Sequence, residues 1–146
     1  MPPTWLEYHT QYLPSNKEYA VTIDCGTDGD VAVYMARTFY KSYYVPGFAL
    51  NGVGYFVTKE RQLFQASIFQ VFAEADFKFD YFSQSGDSMV ADDVVDETDQ
   101  IKFGTFEIGG VRYCGMVDSQ HTCHINFFAA PCYFNVKLGL VIIETG

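Results

Sequence analysis

The 146 residues carry a net charge of −9 with only nine Lys and Arg, set singly along the chain, so the basic cluster that a phosphate backbone or an anionic membrane requires is missing and nucleic acid is not an expected partner. Hydrophobic residues make up 49% of the chain and aromatics 18%, which excludes disorder and favours pleated, half-buried surfaces in one domain or two small packed halves. The most apolar run, residues 138–143, is strand-sized, so no membrane span is expected.

Residues 1–18, with Pro2-Pro3 and Leu13-Pro14, read as irregular, and Trp5 reads as a packing anchor. No basic segment followed by an apolar run opens the chain, so the expectation is a cytoplasmic protein, or one released without a signal peptide. Cys25, Cys114, Cys123 and Cys132 are then free thiols by default, with a Cys123–Cys132 disulfide as the alternative. Residues 18–24 alternate and read as a strand, and residues 25–30 form a loop with Asp28-Gly29 as its turn signal.

The central stretch is residues 31–60. Residues 31–36 read as a strand closed by Arg37, and Phe39, Tyr40, Tyr43 and Tyr44 read as an aromatic connection. Pro46-Gly47 and Asn51-Gly52 are expected to break the backbone twice, because Pro fixes φ and Gly permits φ > 0. Residues 54–58 form the next strand and end in Lys59-Glu60. A connection over 61–65 leads to a strand over 66–73, with Ile68, Gln70 and Phe72 on one face and Phe69 and Val71 on the other. Residues 77–82 alternate almost strictly.

Residues 83–100 hold Asp87, Asp92, Asp93, Asp96, Glu97 and Asp99 and read as an exposed acidic connection, with room for a short helix over 89–97. An EF-hand would need its ligand spacing and central Gly, and neither is present. Strands follow over 101–107, 111–117, 124–128, 132–136 and 138–144, with Gly109-Gly110 as a turn. The class is all-β: two tandem antiparallel-sheet repeats packed into one compact domain with pseudo-twofold symmetry. The division runs 1–82 for the first repeat, 83–100 for the connection and 101–146 for the second, divergent repeat. In this reading residues 33–36 correspond to 112–115, 54–56 to 132–134, Lys59 to Lys137, 67–72 to 139–144, and 26–29 to 107–110.

Catalytic signatures are missing. There is no Gly-x-Ser-x-Gly elbow, no His-Glu-x-x-His helix and no Gly-rich phosphate loop, so an enzyme is not expected. Cys114, His121, Cys123, His124 and Cys132 are the densest metal-capable set, but they lack the tight Cys-x-x-Cys spacing that zinc favours, and no metal or cofactor is expected.

Trp5, Leu13-Pro14, Ala20-Val21, Gly26 with Asp28-Gly29, Val33-Tyr34 with Arg37, Pro46-Gly47, Tyr55, Lys59-Glu60 and residues 69–72 occur in the order and spacing of a known repeat. In these features the chain resembles the DM-nine repeat proteins, also found beside natterin-type toxin domains. The resemblance implies a two-repeat β-fold, often homodimeric, that recognises carbohydrate, with mannose the best-described ligand class. It implies further that an acid of the Gly-Asp loop, here Asp28 or Asp30, accepts hydrogen bonds from sugar hydroxyls. The family Lys after Pro-Gly is replaced by Phe48. Stacking would then fall to Tyr40, Tyr44 or Phe48, and Lys41 or Lys59 would supply the missing donor. The expected function is a non-enzymatic lectin-like protein for mannose-type glycans. The alternative is a protein-interaction or assembly module on the same scaffold with a decayed sugar site.

Overall fold

The computed structural model describes residues 4–9, 22–24, 32–73, 77–80, 101–118, 120, 122–135 and 140–144. The sequence expectation of an all-β chain holds: every regular element described is a strand, in two antiparallel sheets. The first half supplies β1 (Thr4–His9), β2 (Thr22–Asp24), β3 (Val33–Tyr40), β4 (Tyr43–Leu50), β5 (Val53–Val57), β6 (Leu63–Ala66) and β7 (Ile68–Ala73). The second supplies β8 (Phe77–Asp80), β9 (Lys102–Ile108), β10 (Val111–Val117), β11 (Thr122–Phe127), β12 (Ala130–Asn135) and β13 (Leu140–Glu144). The acidic connection and its expected helix lie outside the described residues.

Each sheet is one contiguous length of chain. The first runs β1-β7-β3-β4-β5-β6, with β2 on β3; the second runs β8-β13-β9-β10-β11-β12. Apart from β2 the orders match strand for strand, and the register matches too. Ala36 pairs with Gly47 and Val71, as Gly104 pairs with Gly115 and Val141. A Cβ on Gly47 would lie 2.0 Å from the Tyr55 carbonyl oxygen, and a Cβ on Gly115 would lie 2.0 Å from that of His124. Both sheets therefore require a bare backbone at the same crossing point. By position in the sheet order, the correspondence expected between the two halves is one strand out of step. Residues 33–36 correspond to the strand that opens the second sheet's main hairpin, β9, and not to 112–115. Cys114-Gly115-Met116 is the counterpart of Pro46-Gly47-Phe48. Residues 77–80, assigned to the first repeat, form the edge of the second sheet.

Several local expectations change. The irregular N-terminal segment contains β1, paired along its length with β7 from Thr4↔Ala73 to His9↔Ile68. The aromatic connection is a hairpin, in which Phe39 pairs with Tyr44 and Tyr40 with Tyr43 around a Lys41-Ser42 turn. Pro46-Gly47 does not break the chain. It lies within β4, and the β4–β5 ladder begins only at Gly47↔Phe56, so Pro46 stands just beyond it. The Asn51-Gly52 turn is present, with φ of 52° and 81°, the primed geometry that suits the twist of a hairpin. Cys114, Cys123 and Cys132 are free. Register places Cys132 opposite Ile125 and Cys123 opposite Phe134, so the alternative disulfide is not formed.

Two cores follow from the alternation of β3. Val33 and Met35 join Phe48, Phe72, Phe103, Met116, Cys123 and Ile125 in the core between the sheets. Tyr34 and Ala36 join Val45, Phe56, Phe69 and Val71 in a second core on the other face of the first sheet. The first sheet is thus buried on both faces, which is why four successive residues of β3 are buried. Trp5 fulfils its anchoring expectation: its ring stacks on Phe103 of the second sheet at 5.7 Å and meets Phe72 edge-on. The sheets are also clasped by Asn126, whose Nδ2 donates to the carbonyls of Phe56 (3.3 Å) and Phe64 (3.0 Å).

Candidate functional site

The inter-sheet face of the first sheet is buried around Phe72, Met35 and Phe48 and exposed at Phe39 and Ile68. Along β1, β7, β3 and β4 its residues fall in rungs across the strands. The innermost holds Trp5, Phe72, Met35 and Phe48, all in the inter-sheet core or packed against it. The next holds Glu7, Gln70, Arg37 and Pro46. The outermost holds Ile68 and the Phe39–Tyr44 pair. Here Phe39 is 58% exposed and Ile68 65%. Between these rungs lies an open groove of about 270 Å³ lined by Glu7, Arg37, Phe39, Tyr44, Ile68 and Gln70, among others.

The middle rung is a chain of charge-assisted hydrogen bonds. The Arg37 Nε donates to Gln70 Oε1 at 2.8 Å, and Gln70 Nε2 donates to Glu7 Oε1 at 2.7 Å. The Arg37 guanidinium carbon lies 4.5 Å from the Trp5 ring centroid and 4.0 Å from that of Tyr44, so two cation–π contacts fix its plane. Phe39 meets Tyr44 edge-on at 5.2 Å, and the Thr38 hydroxyl donates to the Ile68 carbonyl at 3.1 Å, tying β3 to the start of β7. The groove therefore sets three hydrogen-bonded polar side chains in one line, with aromatic and aliphatic walls beside them. That combination suits a ligand with a polar edge and an apolar face.

The residues singled out in the sequence are distributed over three places. Tyr44 lies in the groove. Tyr40, Lys41 and Lys59 gather around the end of the β3–β4 hairpin, away from it. There Tyr40 stacks on Phe64 at 5.0 Å, the Lys41 ammonium is 5.2 Å from the Tyr40 ring, and the Lys59 ammonium is 4.7 Å from the Tyr43 ring. The Tyr43 hydroxyl donates to Glu60 Oε2 at 3.3 Å. Burial raises the pKa of that phenol, and the Glu60 carboxyl is lowered first by its own backbone N–H and then by the Thr58 and Tyr43 hydroxyls. Phe48 is completely buried, stacked on Tyr55 at 5.1 Å and packed against Tyr113 and Phe128, so it offers no ring to a ligand. Asp28 and Asp30 lie outside the described residues.

Arg37, Gln70 and Glu7 were not read as a site, because the rung draws on strands far apart in sequence. The available signal was Gln70, a polar residue amid the apolar side chains of its strand face.

A second polar cluster joins the sheets at another end. Asp118 Oδ2 lies 2.8 Å from His124 Nε2 and 3.1 Å from an Arg61 guanidinium nitrogen, while Oδ1 accepts from the backbone N–H groups of Gln120 and Thr122. Burial alone would raise this carboxyl, but the hydrogen bonds from His124, Thr122 and Gln120 outweigh it and hold the pKa below the ordinary value. Burial pushes the Cys114 and Cys123 thiols up, so neither is a ready nucleophile. Among the described residues no group of three or more His, Cys, Asp or Glu is arranged to hold a metal ion. Nor is any described helix long and apolar enough to cross a membrane.

No model of a known family matches the chain, and no curated protein does.

Proposed function

We propose that this chain is a non-enzymatic, lectin-like carbohydrate-binding protein for mannose-type or related glycans, with the groove at the open end of the first sheet as its site. The observation that carries the reading is the Glu7–Gln70–Arg37 rung set between the covered inter-sheet core and the exposed Phe39–Ile68–Tyr44 edge. A sugar ring has hydroxyls on its rim and C–H groups on its faces, and planar polar side chains beside aromatic rings answer both. The DM-nine resemblance supports the same class of ligand and adds homodimer formation, a pseudo-twofold relation between the sheets and a contribution from Asp28 or Asp30. A glycan array probed with the wild-type protein and with Arg37→Ala tests it. The expected outcome is binding to mannose-containing glycans that is lost in the variant; an array with no glycan bound by the wild-type protein would refute it.

One observation favours a second reading. The position that carries Lys in the resembling family is Phe48 here, and it is absorbed into the inter-sheet core. A scaffold whose sugar contact has been converted to packing is what a protein-interaction or assembly module would retain. An oligomer that forms without sugar and is unchanged by it, together with an empty array, would favour that alternative.

A further inference from the structure

We infer that the end of the β3–β4 hairpin, away from the groove, binds a tetrahedral oxyanion, a phosphate or sulfate monoester, between Lys41 and Lys59. The inference uses no residue of the groove and stands apart from the carbohydrate reading above.

Against 18 Asp and Glu the chain sets only nine Lys and Arg, but Lys41, Lys59 and Arg61 gather on two adjoining turns. The turns meet at Tyr43, whose hydroxyl donates to Glu60 Oε2 at 3.3 Å and accepts from the Lys59 backbone N–H at 3.4 Å. Arg61 is paired with Asp118 at 3.1 Å. Glu60 is then the one described carboxylate set among the two ammonium groups, and its carboxyl is held ionised first by its own backbone N–H and least by the charge of Lys41. Among the described residues neither ammonium lies within ion-pair distance of a carboxylate; each rests on a ring instead, Lys41 on Tyr40 at 5.2 Å and Lys59 on Tyr43 at 4.7 Å. A ring face is no substitute for a hydrogen-bond acceptor, and an ammonium has three donors, so both groups keep donors for an anion. The rings hold them in place. Tyr40 and Tyr43 meet edge-on at 6.0 Å and Tyr40 stacks on Phe64, so little freedom remains to be lost on binding. The backbone argues in the same direction. Lys41 and Arg61 adopt φ of 59° and 66°, which long side chains seldom do, whereas the β4–β5 turn meets the same demand with Asn51-Gly52. Both strained residues are exposed, so packing does not account for them, and strain of this kind gathers at binding sites. Two ammonium groups on separate turns call for acceptors in more than one direction, which a tetrahedral oxyanion offers and a planar carboxylate does not.

The test is an NMR titration of the labelled protein with glucose 6-phosphate, glucose 6-sulfate, inorganic phosphate and, as the neutral control, glucose, all at matched ionic strength. The oxyanions should shift Tyr40, Lys41, Ser42, Tyr43, Lys59 and Glu60 saturably, and glucose should leave them unmoved. Inorganic phosphate binding as tightly as the esters identifies the anion itself as the ligand; an ester binding more tightly shows that its carrier adds contacts. Lys41→Gln and Lys59→Gln should each weaken binding by about threefold, and the double variant by about tenfold, as exposed charge pairs do. Glu60→Gln removes the opposing carboxylate and should tighten binding by about threefold. The inference is overturned by either of two results: no saturable shifts at this end with any oxyanion, or a double variant, folded by thermal unfolding, that binds the oxyanions unchanged. Binding of methyl α-mannoside at the groove stands or falls separately.

Discussion

Phe48 illustrates how far a residue's meaning depends on what packs against it. From sequence it stands where the resembling family has a sugar-binding Lys, and a phenyl ring there reads as a stacking surface. In the folded chain it is completely buried, between Tyr55, Tyr113 and Phe128. Restoring the family residue should therefore not restore a site. Phe48→Lys places an ammonium in the core between the sheets, and should cost about 3 kcal/mol or more, read as a lowered midpoint in denaturant. A variant as stable as wild type would mean that the position reaches water. Nothing in the local sequence distinguishes the two roles, because the rings that bury Phe48 come from β5, β10 and the turn after β11. Trp5 was legible, by contrast: a single large ring near the chain start has few uses other than to anchor it. Gln70 was half legible, since the alternation of its strand placed it correctly on a face with Ile68 and Phe72 while its two polar partners stayed out of sight.

Strands with period-two alternation were legible as elements. Residues 111–117 were read with the boundaries that β10 has, and the Asn51-Gly52 and Gly109-Gly110 turns were placed correctly because Gly supplies φ > 0. Pro46-Gly47 misled, because its two residues serve opposite ends here: Pro lies just outside the β4–β5 ladder, and Gly lets a neighbouring carbonyl approach. The turn between β11 and β12 was invisible for the converse reason. Phe128 and Ala129 adopt φ of 53° and 74° without any residue that favours it, and Asn126 steadies the turn by accepting from the Ala129 N–H at 2.8 Å. Loop-to-loop contacts were equally hidden, and the Arg61–Asp118–His124 cluster is the clearest case, since it links the β5–β6 connection to β10–β11. Its pH dependence follows from the direction of the Asp118 shift. A carboxyl whose folded pKa is depressed contributes stability above its unfolded value, and that contribution is lost as pH falls through the folded one. Thermal unfolding of wild type and Asp118→Asn should thus show a gap of about 1–3 kcal/mol near pH 5 that closes at lower pH, below the ordinary carboxyl value of 3.8. A gap that persists undiminished to about pH 2 would mean the charge contributes nothing.

At the scale of the molecule, the chain is two lengths of sequence, each forming one sheet, that share a core neither could close alone. The sequence correspondences between the halves do not coincide with the strand order: residues 33–36 lie on β3, which takes the place of β9 in its sheet and not that of β10. Corresponding strands keep their pairing and their bare-backbone glycines while their side chains have diverged: Arg37 corresponds to Thr105 and Gln70 to Leu140. That divergence is why the proposed site is placed in the first sheet. Among the described residues the second sheet shows no equivalent of the polar rung, and the first carries its rung beside the exposed Phe39 and Ile68. The most direct test of this placement is an NMR titration of the labelled protein with methyl α-mannoside. The account predicts that shift changes gather at Glu7, Arg37, Phe39, Tyr44, Ile68 and Gln70, at the open end of the first sheet. Changes confined to the Lys41–Lys59 side of the hairpin or to the second sheet, or no changes at all, would contradict it.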